Sequence, residues 1–164
     1  MIPSLPRSAT IHLEAAKGWC ELHAFLRAKE ELEKIDASLC AHPNVLEVRW
    51  QIYANLERWD DALEIASAIV IARPEWPNGY IYQASSLNES NRQPQAYETL
   101  SAAAVLFPGD EIIHYDLACV CCSLKRVEEA RMWLGKAIEL GRDGTRLRAL
   151  GDSDLEPLWR ELKI

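Results

Sequence analysis

The chain has 164 residues, 49% of them apolar and 26% charged, with a net charge of −7. That length suffices for a domain with a real core, and the composition excludes wholesale disorder. The acidic balance gives no reason to expect a nucleic-acid surface, and no apolar run approaches the ~20 residues of a membrane span.

The opening "MIPSLPRSATIHLE" lacks the apolar core of a secretory signal. Five cysteines, an odd number, then read as free thiols in a reducing compartment, so a cytoplasmic protein is expected. Glycine is sparse, and the Asp-Gly pair at 143–144 follows an expected helix rather than joining two alternating apolar runs. The coarse reading is all-α.

In chain order the apolar spacing predicts helices over about 9–22 and 25–39, then 43–56 and 59–72, then 77–90 and 93–106, then 111–124 and 127–140. The connection within each pair is short, so its two helices must be neighbours. Ala28, Ala62, Ala96 and Ala130 stand 34 residues apart, one on each second helix. Each opens an apolar stripe, continued by Leu32, Ala66, Leu100 and Leu134 and then by Ile35, Ile69, Ala103 and Ala137. That i, i+4, i+7 pattern is one face of a helix. The first helices repeat in phase through Ala16, Trp50, Ala84 and Ala118. Trp50 breaks the small-residue rule where the facing helix carries Ala66 instead of leucine, which predicts an exchange of large for small across one contact. Gly141 is placed to end the last paired helix. Beyond it, "GDSDLEPLWREL" predicts a short closing helix, with Ser153 and Glu156 at capping-box spacing and an apolar side of Leu155, Leu158 and Leu162. An array of repeats needs such a cap over its last apolar face.

Four in-phase units, with "RWDDALEIASAIVIARPEWP" (58–77) as the best match, resemble the tetratricopeptide repeat family. The resemblance covers about residues 9–142 and implies a right-handed α-solenoid of about four helix–turn–helix repeats with a short C-terminal capping helix. The repeats would run over about 9–42, 43–76, 77–110 and 111–144, with the cap over about 145–164, all in a single domain 1–164. The pattern departs from the family at the turn inside each repeat, where the usual glycine is replaced by His23, Glu57, Asn91 and Lys125. The aromatic that starts the second helix is present as Phe25 and Trp59 but absent at Gln93 and Val127.

In that family the first helices line a concave face that binds extended peptides or a partner helix. The resemblance therefore implies a protein–protein interaction module, an adaptor or scaffold. The alternative is a small chaperone that holds an aggregation-prone client such as a secretion substrate. The expected groove comprises Val48, Gln51 and Asn55, then Ile81, Tyr82, Ser85 and Asn88, then Tyr115, Asp116, Cys119 and Cys122. Lys17 is the one basic residue placed on the equivalent surface, so a clamp for a terminal carboxylate is not expected. The surface is apolar and amide-rich with acidic spots, which suits an apolar segment that is neutral or basic. Tyr82 and Tyr115 are its expected anchors.

Chemistry is not expected. The sequence contains no Gly-rich phosphate loop, GxSxG or HExxH, and His12, His23, His42 and His114 are scattered along it. "HYDLACVCC" (114–122) gathers a histidine, an aspartate and three cysteines, but one helix offers at most the Cys119/Cys122 pair. A structural zinc site needs four converging ligands, and no second Cys/His pair lies in a neighbouring repeat. No enzyme activity, cofactor, metal, nucleic-acid or membrane partner is expected. In this frame Cys121 points into the core, while Cys119 and Cys122 turn toward the groove, so a thiol reagent is expected to label Cys119 or Cys122 before Cys121.

Overall fold

The computed structural model describes residues 4–162. The side chain of Leu162, expected on the apolar side of the closing helix, lies outside the described residues. Within that span every regular element is helical: α1 Arg7–Glu21, α2 Phe25–Leu32, α3 Pro43–Asn55, α4 Trp59–Ala72, α5 Pro77–Glu89, α6 Gln93–Leu106, α7 Glu111–Ser123, α8 Val127–Leu150 and α9 Trp159–Leu162. The all-α, paired-helix reading is thus what the chain adopts. The chain forms two compact units, residues 1–86 and 87–164, divided within α5.

In the first unit α1 packs on α2, α3 packs on α4, and α1 and α2 also pack on α3. Its core joins Ala9, Leu13, Ala16 and Cys20 of α1 to Ala28 and Leu32 of α2 and to Val45, Val48 and Ile52 of α3. In the second unit α7 packs on both α6 and α8, and its core joins Ala118 and Cys121 to Ala130, Leu134 and Ala137. The alanines of the 34-residue ruler, Ala28, Ala62, Ala96 and Ala130, are all fully buried. A small side chain at these points lets two helices approach closely, which is why the period is carried by alanine.

The turn inside each pair has one recurring construction. His23, Glu57, Asn91 and Lys125 all take a left-handed backbone, with φ of 55°, 55°, 61° and 61°. At each, the next amide donates back across the helix end: Ala24 N to Trp19 O, Arg58 N to Tyr53 O, Arg92 N to Leu87 O and Arg126 N to Cys121 O. The left-handed residue itself donates to Cys20, Ala54, Asn88 and Cys122 O respectively. These pairs of bonds are Schellman motifs, which satisfy carbonyls that a helix end otherwise leaves free. The family's turn glycine is missing from the sequence, yet the conformation that glycine serves is kept four times.

Two expected boundaries move. The second helix of the first pair was expected to reach residue 39 but stops at Leu32. Asp36 accepts from the amide and the hydroxyl of Ser38, at 2.8 and 2.6 Å, and so starts a 3-10 turn over Ala37–Leu39. A short acidic side chain here competes with the helix for backbone donors. At the other end, α8 does not finish at Gly141 but kinks at Arg142 (φ 55°, ψ −136°) and continues to Leu150. A β-carbon on Gly141 would lie 1.9 Å from Thr145 Oγ1 and 2.3 Å from Glu111 Cδ, so both side chains would have to move to admit one. Glu111 and Thr145 are hydrogen-bonded to each other across this gap.

Candidate functional site: the first-helix surface and its cover

In the first unit the surface is built on an aromatic pair. Trp50 of α3 and Tyr82 of α5 stack with ring centroids 4.0 Å apart and planes 14° from parallel. Trp50 Nε1 donates to Ser86 Oγ at 3.0 Å, and that buried hydroxyl donates to Tyr82 O at 2.8 Å. Trp76 meets the Tyr82 ring edge-on at 5.9 Å, with the Arg73 guanidinium 4.6 Å from its own ring centre. The large residue at position 50 thus serves a partner on α5, while Ala66 is completely buried. The Tyr82 hydroxyl donates to Glu47 at 3.3 Å. Burial, reinforced by the Glu47 charge, pushes this phenol up to about 12. Beside the pair, Gln51 and Asn55 are exposed, and Ile81 and Ser85 are partly exposed. Asn55 Nδ2 donates to Gln51 O at 2.8 Å. Val48, expected on this surface, is instead 2% exposed and packs in the core formed with α1. Its side of α3 faces α1, so it is not available to a partner.

In the second unit the same helical register has a different fate. The segment after α8 folds onto α7 as a 3-10 turn over Ser153–Leu158, followed by α9. Leu155 and Leu158 enter the core around Tyr115, Ala118, Cys121 and Cys122. Asp152, rather than Ser153, caps the turn, accepting from Asp154 N at 3.1 Å. Its other oxygen accepts from the Tyr115 hydroxyl at 2.7 Å. Trp159 Nε1 donates to Ala149 O at 2.9 Å and so fixes α9 against α8. Tyr115 is therefore 1% exposed, and Cys122 is buried with it. Neither is the outward-facing residue expected from the sequence, because the chain's own end lies on them. Asn88, on the α5 residues of this unit, is partly exposed, with its amide nitrogen 3.5 Å from Glu89.

The electrostatics of this covered face are those of a partly buried acidic cluster, with Asp116 and Asp152 half-buried and Asp154 exposed. Burial drives Asp116 up to about 7, helped by Asp110 and Asp152 and opposed by Arg148. Arg148 lies over the Tyr115 ring at 3.8 Å. Burial raises the Tyr115 phenol strongly, and the bond to Asp152 adds to it. The Cys119 thiol is held far above the usual range by burial, then by Asp152, Asp116 and Asp154. Burial also pushes Cys121 up to about 11 and raises Cys122. A nucleophilic cysteine needs its thiolate stabilised, and these surroundings do the opposite. Among the described residues, Cys119, Asp152 and Asp154 bring three donor atoms within 4.8 Å of one another. Both Asp152 oxygens are already engaged, one by Tyr115 and one by the Asp154 amide. The cluster serves to dock the chain end.

One signal in the sequence fits the cover. On α7 the buried residues are Ile113, His114, Tyr115, Leu117, Ala118, Val120, Cys121 and Cys122, which leave a narrow stripe of Ile112, Asp116, Cys119 and Ser123 that is not fully buried. A helix with so wide an apolar face is covered on more than one side.

No protein-family profile matches the chain, and no curated protein sequence matches it. Solved structures do. A MamA protein aligns with a TM-score of 0.72 at 17% identity, over 97% of this chain and 88% of that one. MamA MSR-1 gives 0.69 at 22% identity, over 82% and 77%. MamA from Desulfovibrio magneticus RS-1, residues 41 to the end, gives 0.67 at 19%, over 80% and 74%. At these identities the likeness establishes the fold, and the chain shares the helical-repeat fold of the MamA structures.

Proposed function

We propose that the chain is a protein-interaction module, whose first unit holds a short segment of a partner protein against the surface formed by α3 and α5. The observation that carries this reading is the Trp50–Tyr82 stack, fixed by hydrogen bonds to Ser86 and Glu47 and flanked by exposed amides. A rigid aromatic platform loses little conformational entropy when a ligand packs on it. Amides beside it read a peptide backbone. Glu47 makes the platform acidic, so an apolar segment that is neutral or basic fits best. The module acts by binding rather than by catalysis, and its free cysteines suit the cytoplasm.

Selection of displayed random peptides against the full chain tests this. Enriched peptides should be apolar with no net negative charge, and should lose at least tenfold in affinity on Ile81→Lys or Gln51→Lys. Peptides that bind both variants as well as wild type would place the interaction elsewhere.

A further inference from the structure

Five buried side-chain atoms among the described residues lack a hydrogen-bond partner: Arg73 Nε, Asn88 Oδ1, Ser101 Oγ, His114 Nδ1 and Trp133 Nε1. Three of the five belong to side chains that line one recess of about 420 Å³ in the second unit. Ser101 comes from α6, His114 from α7 and Trp133 from α8. Unpartnered buried polar atoms are rare and costly, so three around one space call for a common explanation.

Their chemistry is defined. His114 Nε2 lies 2.9 Å from Pro108 O, a carbonyl that can only accept, so Nε2 carries the proton. His114 Nδ1 is then a bare acceptor. Trp133 Nε1–H is a donor only, and the Ser101 hydroxyl serves as either. The His114 and Trp133 rings are stacked, 5.5 Å apart and 11° from parallel, so acceptor and donor are held on a rigid pair. Val105, Pro108 and Leu140 add apolar wall, and Val105 is 80% exposed. Lys136, an exposed side chain, lies across the indole with Nζ 4.3 Å from its centre, and Glu139 stands on the same rim. The two rim charges are opposite, so neither sign of ligand is favoured.

We propose that this recess is a binding site for an uncharged carboxamide carried on a small apolar body. A carboxamide presents an N–H to His114 Nδ1 and a C=O to Trp133 Nε1–H side by side. A carboxylate has no donor for His114, and an ammonium has no acceptor for Trp133. The volume falls within the roughly 300–1,000 Å³ of small-ligand sites. The three atoms are shielded from solvent as the side chains stand, so binding requires Lys136 to leave the indole and the walls to part around His114. The site uses α6, α7 and α8 and none of the residues of the proposed peptide surface, so it goes beyond that reading and stands or falls apart from it.

The test is titration of the full chain, labelled with ¹⁵N-tryptophan, with N-acetyl-leucinamide as the probe. The Trp133 indole resonance is identified by its loss in Trp133→Phe, which keeps a ring for His114 to stack on. That resonance should shift and saturate, and N-acetyl-leucine, a carboxylate at neutral pH, should bind at least fivefold more weakly. Ser101→Ala and Trp133→Phe should each weaken the probe at least fivefold, read by saturation transfer to the probe. Two results would overturn the proposal: an unmoved Trp133 indole, which leaves these atoms to bound water, or equal affinity for the amide and the carboxylate.

Discussion

Ile81 and Tyr115 stand one 34-residue period apart on the first helices of successive pairs, and the two units treat them in opposite ways. Ile81 is partly exposed beside the Trp50–Tyr82 stack, whereas Tyr115 is sealed under Asp152 and Leu155. Gln51 and Cys119 are two periods apart and differ likewise: one amide is exposed, and one thiol faces Asp152. Equal repeat positions do not make equal surfaces. What decides is whether another part of the chain is long enough and apolar enough to lie on the helix. The segment after α8 meets that need with Leu155, Leu158 and Trp159, and the cost of covering a tyrosine hydroxyl is offset by Asp152.

The comparison breaks most sharply if the cover is weakened. Leu155→Ala removes a fully buried side chain and should destabilise the second unit by about 3 kcal/mol. Chemical denaturation measures this, and alkylation of Cys122 should speed up in parallel. Unchanged stability would mean that the segment does not seal α7.

Next comes the kink that brings the segment back. Gly141→Ala forces a β-carbon against Thr145 and Glu111, and should cost about 2 kcal/mol. A thermal melt unaffected by this change would contradict the close approach.

The acidic face gives the second unit a pH signature. Asp116 titrates near 7 when folded and near 4 when unfolded, so between those values the folded state binds the extra proton. Stability should therefore rise as pH falls from about 8 to about 5, by several degrees in Tm. The change should shrink in Asp116→Asn, which removes the titrating group facing Asp110, Arg148 and Asp152.

The smallest effect sharpens what the two units share. Glu57→Gly in the first and Lys125→Gly in the second relieve the same left-handed strain, and each should stabilise by roughly 0.5–1 kcal/mol. Asn91→Gly should gain less, since asparagine tolerates that conformation.

Most of the fold was legible because its causes are local and repeated. The alanine ruler and short connections set the helix pairs, and the four departures from glycine fell at the four left-handed turns. What failed to show was non-local or competitive. Asp36 ended α2 early through its own hydrogen bonds with Ser38. Of the expected groove, Gln51, Asn55, Ile81, Tyr82 and Ser85 are at least partly exposed in the first unit. Val48, Tyr115 and Cys122 do not reach the surface. Periodicity orients a side chain on its own helix but does not say which later segment will dock there. The wide apolar face of α7 carried that information in general form, and the segment 152–159 could be matched to it only in three dimensions. Of the two thiols expected to face outward, Cys119 is partly exposed, whereas Cys122 is buried like Cys121. Cys40 is partly exposed and should alkylate first, ahead of Cys119, with Cys121 and Cys122 last.

Hydrogen exchange distinguishes an open first-helix surface in the first unit from a self-covered one in the second. The full chain is measured with and without a peptide selected against it. New protection should be confined to α3 and to residues 77–86 of α5, with 152–159 unchanged. Protection on α7 accompanied by faster exchange over 152–159 would contradict that division, because the partner would then be displacing the chain's own end.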